Sequence, residues 1–261
     1  MPEPVVLYEK KDHVAIITLN RPAKMNAYNA EVLIKESEIW ADFRDDPNLY
    51  VAILTGAGDQ AFCAGGDMTM MSTIRNDDSP DSRIFRIPLF HNGDLRIMKP
   101  IIGAINGYCL SGGLTHALHT DIRIASENAT FGYQQVRYAA SPSWMGPARL
   151  PHEIGLSNTL YLLLTGTRID AQEALRMCLI HKIVPQKDLM AAAFEMAETL
   201  LMNSPSHMAI KKDSIFRCLS LPLEEAKMVS WFQEGKVPMA ESKEGVASFL
   251  EKRKPDWSKV I

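Results

Sequence analysis

Three short apolar runs rich in β-branched residues constrain this chain most: VAIITL at 14–19, YVAILT at 50–55 and PIIGAI at 100–105. Each is followed by Asn, Gly or Arg-Pro punctuation, and a run of six without polar alternation predicts a strand buried on both faces. Helical patterns separate the runs. Asn29 is placed to cap a helix with Glu31 in its first turn, and 80–98 reads as a second amphipathic stretch. Strands and helices therefore alternate. Beyond about residue 145 the strand signal fades, and apolar residues recur at helical spacing through 155–165, 170–178, 186–218 and 222–252. With 261 residues, 46% hydrophobic and 23% charged, one compact α/β domain with a helical C-terminal part is expected. Residues 72–83, STIRNDDSPDSR, form the most loop-like segment.

The formal net charge of −3 leaves no broad basic surface to follow a phosphate backbone, so no nucleic-acid partner is expected. Cys63, Cys109, Cys178 and Cys218 lie far apart without a C-x-x-C pair. That spacing suggests reduced thiols in a cytoplasmic setting, with neither a disulfide framework nor a metal site. The opening MPEPVVLYEKKD lacks a cationic lead into an apolar segment, and no apolar run reaches membrane-spanning length. No membrane association is expected.

Two glycine pairs follow predicted strands. AFCAGGD at 61–67 comes after the 50–55 strand and the turn TGAG at 55–58; IGAINGYCLSGGL at 102–114 brings Gly112-Gly113 just ahead of a helical run at 114–118. A glycine lets an amide N–H approach a ligand with no Cβ in the way, an arrangement that suits an oxyanion. Either pair alone is equally explained by tight packing at a turn. Two such donors in a dry site would each contribute about 3–4 kcal/mol to an enolate or tetrahedral anion.

Six segments, NRPAKMNAYNAEVL at 20–33, AFCAGGDM at 61–68, GAINGYCLSGGL at 103–114, DIRIASENATFG at 121–132, LLLTGTRIDAQEALRMCLIHKIVP at 162–185 and EGVASFLEKRKPDW at 244–257, resemble the crotonase family, the enoyl-CoA hydratase/isomerase superfamily. The resemblance runs along nearly the whole chain, in order. It implies a spiral of ββα units, with a core and acyl-CoA site in 1–200 and a helical trimerisation or covering region in 201–261. It further implies acyl-CoA thioester substrates, coenzyme A as part of the substrate, no permanently bound cofactor, and assembly as a trimer or dimer of trimers. The oxyanion-hole amides of the family correspond here to Gly66 and Gly112. Lys24 and Lys252 match positions that approach CoA phosphates, and Ala64, Asp67 and Met68 match the stretch beside pantetheine and adenine. Thr69 stands where family members often carry a further lysine.

The acid positions depart from the family. Its two hydratase glutamates correspond to Thr115 and Gln135, and a carboxylate position of several isomerases corresponds to Ser143. Neither an amide nor an aliphatic hydroxyl replaces a carboxylate as a general base, and one such group is typically worth about 10²- to 10⁴-fold. Ordinary two-glutamate hydration is therefore disfavoured. His116 and His119 lie on the helix that starts at Gly112, with His119 one turn beyond Thr115; each is either a proton carrier or a side chain bonded to a backbone carbonyl. Tyr133, Gln134, Arg137, Tyr138, Ser141 and Trp144 are polar or aromatic where hydratases are mostly aliphatic, which fits a polar or aromatic acyl group, with Arg137 facing a carboxylate, or a trimer contact. Three readings stay open: a divergent enzyme (isomerisation, decarboxylation or hydrolysis) using His119, Tyr138 or a water to move protons; a hydratase with a substitute proton carrier; and a non-catalytic acyl-CoA-binding member. Cys63 and Cys109 read as small buried hydrophobes, and Asp121 and Arg123 as structural.

Overall fold

A computed structural model describes residues 3–69, 89–90, 93–139 and 145–260. The chain winds between two sheets. The larger has the order β1 (Val6–Lys11), β2 (Val14–Leu19), β3 (Val51–Gly56), β5 (Ile101–Ile105), β7 (Ile122–Ser126), β10 (Lys182–Val184); the smaller has β4 (Ala61–Cys63), β6 (Tyr108–Leu110), β8 (Thr130–Gly132), β9 (Arg168–Asp170). Among the strand pairs of the described residues, β1 with β2 and β8 with β9 are antiparallel and the others parallel. Consecutive strand pairs β3–β4, β5–β6 and β7–β8 each put one strand into each sheet, which is the expected spiral of ββα turns.

The three apolar runs occupy the middle of the larger sheet, and their burial explains their composition. Ala52 and Leu54 of β3 enter the core shared with the smaller sheet and α1 (Ala30–Asp45), whereas Val51 and Ile53 face Ala192, Ala193 and Ala197 of α5 (Leu189–Leu201). A strand covered on both faces has no place for polar alternation. The Asn29 side chain accepts a hydrogen bond from the Val32 N–H at 3.0 Å, so the expected cap opens α1.

The remaining helices are α2 (Gly112–Leu118), α3 (Met145–Thr165), α4 (Ala171–Arg176), α6 (Pro205–Cys218), α7 (Leu223–Glu234) and α8 (Met239–Leu250). The helical C-terminal part is present, but the strand signal does not end at residue 145. The three-residue strands β9 and β10 follow, each too short to register as a period-2 pattern. The edge strand β1 was also not legible: VLYEKK is mostly polar because one of its edges has no neighbour. Of the expected 80–98 helix, residues 80–88, 91–92 lie outside the described residues, and the described remainder forms turns and irregular chain in place of a helix.

Two buried asparagines hold the turns that carry the site. Asn26 donates from Nδ2 to the carbonyls of Ala57 (2.9 Å) and Ala61 (2.6 Å) while its Oδ1 accepts from the Arg21 N–H. Asn106 donates to the Gly56 and Gly58 carbonyls at 3.0 and 2.7 Å. Loop backbone that would otherwise be buried unpaired is thereby satisfied, which fixes the approach to β4.

Candidate active site

The two glycine segments meet. Gly65 has φ +105°, open to glycine at little cost, and a Cβ there would lie 3.0 Å from the Ser111 Cβ and 3.3 Å from the Gly112 nitrogen. Tyr28 runs alongside: its N–H donates to the Gly65 carbonyl at 2.9 Å, and its carbonyl accepts from the Asp67 N–H at 2.8 Å. Backbone groups alternate in direction along an extended segment, so the intervening Gly66 N–H points to the opposite edge. Among the described residues, neither the Gly66 nor the Gly112 N–H is taken by a backbone carbonyl. Ser111, between β6 and α2, sits at φ 54° and ψ −117°, a conformation costly for a side-chain-bearing residue and held by its N–H bond to the Gly132 carbonyl at 2.7 Å.

Thr115, at a family acid position, is completely buried, and its hydroxyl shares a 3.0 Å hydrogen bond with the Tyr133 hydroxyl. Tyr133 follows β8 and packs its ring against Gly146 at the start of α3. Burial pushes its hydroxyl well above the ordinary phenol range, so it stays protonated, and either hydroxyl can donate to the other. Gln135 lies in the short 3-10 turn Gln134–Tyr138; its Oε1 is buried and has no hydrogen-bond partner among the described residues. The positions expected to match the family's acids thus hold a buried hydroxyl pair and an amide. Ser143, Ser141 and Trp144 lie outside the described residues.

The two histidines part company. His119 is half-buried against Phe90, with ring centroids 5.1 Å apart, and beside Gly93. His116 is fully buried: its Nδ1 donates to the Gly112 carbonyl at 2.9 Å, as one sequence alternative had it, and its Nε2 lies 2.9 Å from Glu36 Oε2. Burial opposes the charged imidazole, but the Glu36 carboxylate and the Gly112 carbonyl outweigh it and raise the imidazole above its ordinary value. Glu36 was missed because it sits on α1, far away in sequence, among residues that read as a plain amphipathic helix.

Asp67 pairs with Arg21 at 3.0 Å and accepts from the Thr69 N–H; burial opposes its ionisation, but these bonds prevail and hold its carboxyl below the usual range. The carboxylate thus ties the 20–28 loop to the glycine segment. Lys24 is exposed on the 3-10 turn Pro22–Lys24, and the adjacent Met25 carbonyl accepts from the Ala64 N–H at 3.0 Å. Ala64 is half-buried and Met68 exposed; Lys252 is exposed just past α8. Arg137 packs beside Gly166, and Tyr138 is 68% exposed. Burial pushes the Cys63 thiol up to about 12 and Cys109 well above its usual range, which leaves both inert as expected of buried hydrophobes. Arg123 is buried, donating to the carbonyls of Leu179 and Thr120 and pairing with Glu153, and Asp121 pairs with Lys212 at 2.7 Å; both are structural.

Among the described residues, no group of three or more His, Cys, Asp or Glu side chains is disposed to hold a metal ion, and no helix is long and apolar enough to cross a membrane. A cavity of about 870 Å³ opens between α3 and α6, lined by Arg149, His152, Met208, Lys212 and Phe216 among others. None of the glycine-segment residues lines it, so it lies apart from the place where those segments meet.

A family model for enoyl-CoA hydratase/isomerase matches residues 9–260. The chain belongs to the enoyl-CoA hydratase/isomerase family of enzymes. It is 38% identical over 261 residues to an (E)-benzylidenesuccinyl-CoA hydratase of Thauera aromatica, covering 97% of this chain and 98% of the relative. A short-chain-enoyl-CoA hydratase of Clostridium acetobutylicum is 34% identical, covering 95% of each. The crystal structure of an enoyl-CoA hydratase from Bacillus anthracis superposes with a TM-score of 0.89 at 30% identity, covering 97% and 98%. The crotonase fold expected from the six motifs is therefore the fold observed.

Proposed function

We propose that this family member polarises the carbonyl of an acyl-CoA thioester between the N–H groups of Gly66 and Gly112, and stabilises the enolate left when Cα loses a proton or carbon group, or the tetrahedral anion formed by attack on the carbonyl, in a reaction other than two-glutamate hydration. The observation that supports this best is the abutment of Gly65 on the Gly112 nitrogen, with both neighbouring N–H groups left without a backbone acceptor. Isomerisation, decarboxylation or hydrolysis needs that anion stabilisation and one proton carrier. The hydroxyls of Thr115 and Tyr133 supply donors but no base near neutral pH. A bound water, His119 or Tyr138 is the remaining source of proton movement, with His119 the better placed because Tyr138 is largely exposed.

The acyl group is proposed to be aromatic or carboxylate-bearing. Tyr133, Gln135 and Arg137 give that flank polar character, and the Thauera relative acts, by its name, on an aryl-substituted succinyl thioester. CoA would lie along the loop carrying Lys24, beside Ala64 and Met68, with Lys252 as a second phosphate contact. Self-association as a trimer or dimer of trimers would cover Trp231, Phe232 and Phe249, which are 81%, 68% and 82% exposed on α7 and α8.

A second reading, hydration through a substitute proton carrier, is favoured by the relatives' names. Crotonyl-CoA and an aryl enoyl-CoA, incubated in heavy water with the purified enzyme, separate the two. Deuterium at Cγ of recovered crotonyl-CoA, or conversion of either thioester to a product that is not the 3-hydroxyacyl thioester, supports the divergent reading. Efficient crotonyl-CoA hydration refutes it, and CoA binding with neither exchange nor turnover favours a binding protein.

A further inference from the structure

We infer that Glu36 and His116 are positioning residues that restrain Gly112 at its carbonyl side, and through the Cα the orientation of the N–H that serves as oxyanion donor; the inference rests on Gly112 serving as that donor. Gly112 has no side chain to restrain it, because a Cβ there would lie 2.2 Å from the Tyr28 hydroxyl. A residue with glycine's freedom must be held from outside, since a displacement of about 1 Å in a catalytic group costs about 100-fold in rate. The peptide that carries its N–H is held by the Thr115 N–H, which bonds the Ser111 carbonyl at 3.2 Å, and two further contacts hold the Cα and the carbonyl side. Tyr28 occupies the space beside Cα, and the His116 Nδ1–H bonds the Gly112 carbonyl at 2.9 Å.

Glu36 decides which way the imidazole serves. Its Oε2 lies 2.9 Å from Nε2, so both ring nitrogens face oxygen. Whether the proton between them rests on the imidazole or on the carboxyl, Nδ1 must carry hydrogen and donate to Gly112. His116 and Glu36 are 0% and 1% exposed, the titratable neighbours being Tyr28 and Cys63. With both nitrogens engaged and no exposure, His116 orients the donor and does not itself reach substrate. Packing alone does not account for the pair. Two ionisable groups are buried where apolar side chains of similar volume would be at least as stable, and Glu36 Oε1 has no hydrogen-bond partner among the described residues.

The test reads carbonyl polarisation directly. Butyryl-CoA labelled with ¹³C at the thioester carbonyl is bound to the full-length enzyme, and its C=O stretch is compared by infrared difference spectroscopy with that of free thioester. The variants are His116→Leu, Glu36→Gln, and the double variant Glu36→Leu with His116→Leu. Wild type is expected to show a downshift. Glu36→Gln, which still holds the tautomer, keeps most of it. The double variant is expected to melt at or above the wild-type temperature, bind CoA within about two-fold, and lose about half of the downshift, as befits the misplacement of one of two donors. His116→Leu, if it folds, should match the double variant. A double variant that folds, binds and keeps the full downshift overturns the inference. Absence of any downshift in wild type, with butyryl-CoA bound, instead overturns the oxyanion reading.

Discussion

The hydroxyls of Thr115, on α2, and Tyr133, just past β8, lie 3.0 Å apart and both side chains are buried. A β-hydroxyl and a phenol held protonated by burial form a donor pair, and nothing in that pair abstracts a proton near neutral pH. On the proposed reading Thr115 stands in place of a family acid, and that change is open to repair.

Replacing Thr115→Glu together with Gln135→Glu should raise crotonyl-CoA hydration by about 10²-fold or more, because each acid/base group typically contributes about 10²- to 10⁴-fold. Steady-state loss of the enone absorbance measures it. An unchanged rate in a folded variant would mean that the pocket, and not the missing acids, limits hydration.

Asp67 and Arg21 give an acid-side signature. The folded-state pKa of Asp67 is lowered, so its stabilisation is fully present above the unfolded value of about 3.9 and is lost as pH falls through the folded value. Asp67→Asn should therefore lower the melting temperature near neutral pH, with the gap to wild type closing as the pH falls below the unfolded value and through the lowered folded one. A gap that stays constant over that range would show that the pair contributes no pH-dependent stability.

Lys24→Ala and Lys252→Ala should each weaken CoA binding by about five-fold at low salt, with a smaller difference at high salt, since both side chains are exposed and screened. Calorimetric titration at two ionic strengths reads this. If neither lysine matters, the phosphates lie elsewhere.

Trp231→Glu and Phe249→Glu place charges on the most exposed aromatic positions of α7 and α8. Sedimentation velocity should show wild type as a trimer or larger and the variants shifted toward monomer, with unchanged circular dichroism. Monomeric wild type would leave these side chains without the partner surface proposed for them.

Residue order alone was enough for the central strands, because β3 and β5 are buried on both faces and admit only apolar side chains. It was enough for the Asn29 cap, a bond across three positions, and for the need for bare backbone at 65 and 112. It was not enough for β1, β9 and β10, which take their form from neighbouring strands with little pattern of their own.

The sequence by itself therefore determined the two glycine segments through short-range pattern, and the family, with the spiral it implies, through the resemblance of six segments in order. Only the tertiary structure decided the partners: Glu36 with His116, 80 positions apart; Arg21 with Asp67, 46 apart; Thr115 with Tyr133, 18 apart. Side chains that distant meet only after successive turns of the spiral have packed. Burial then turns each meeting into a fixed bond, because an unpaired polar group has no water to fall back on.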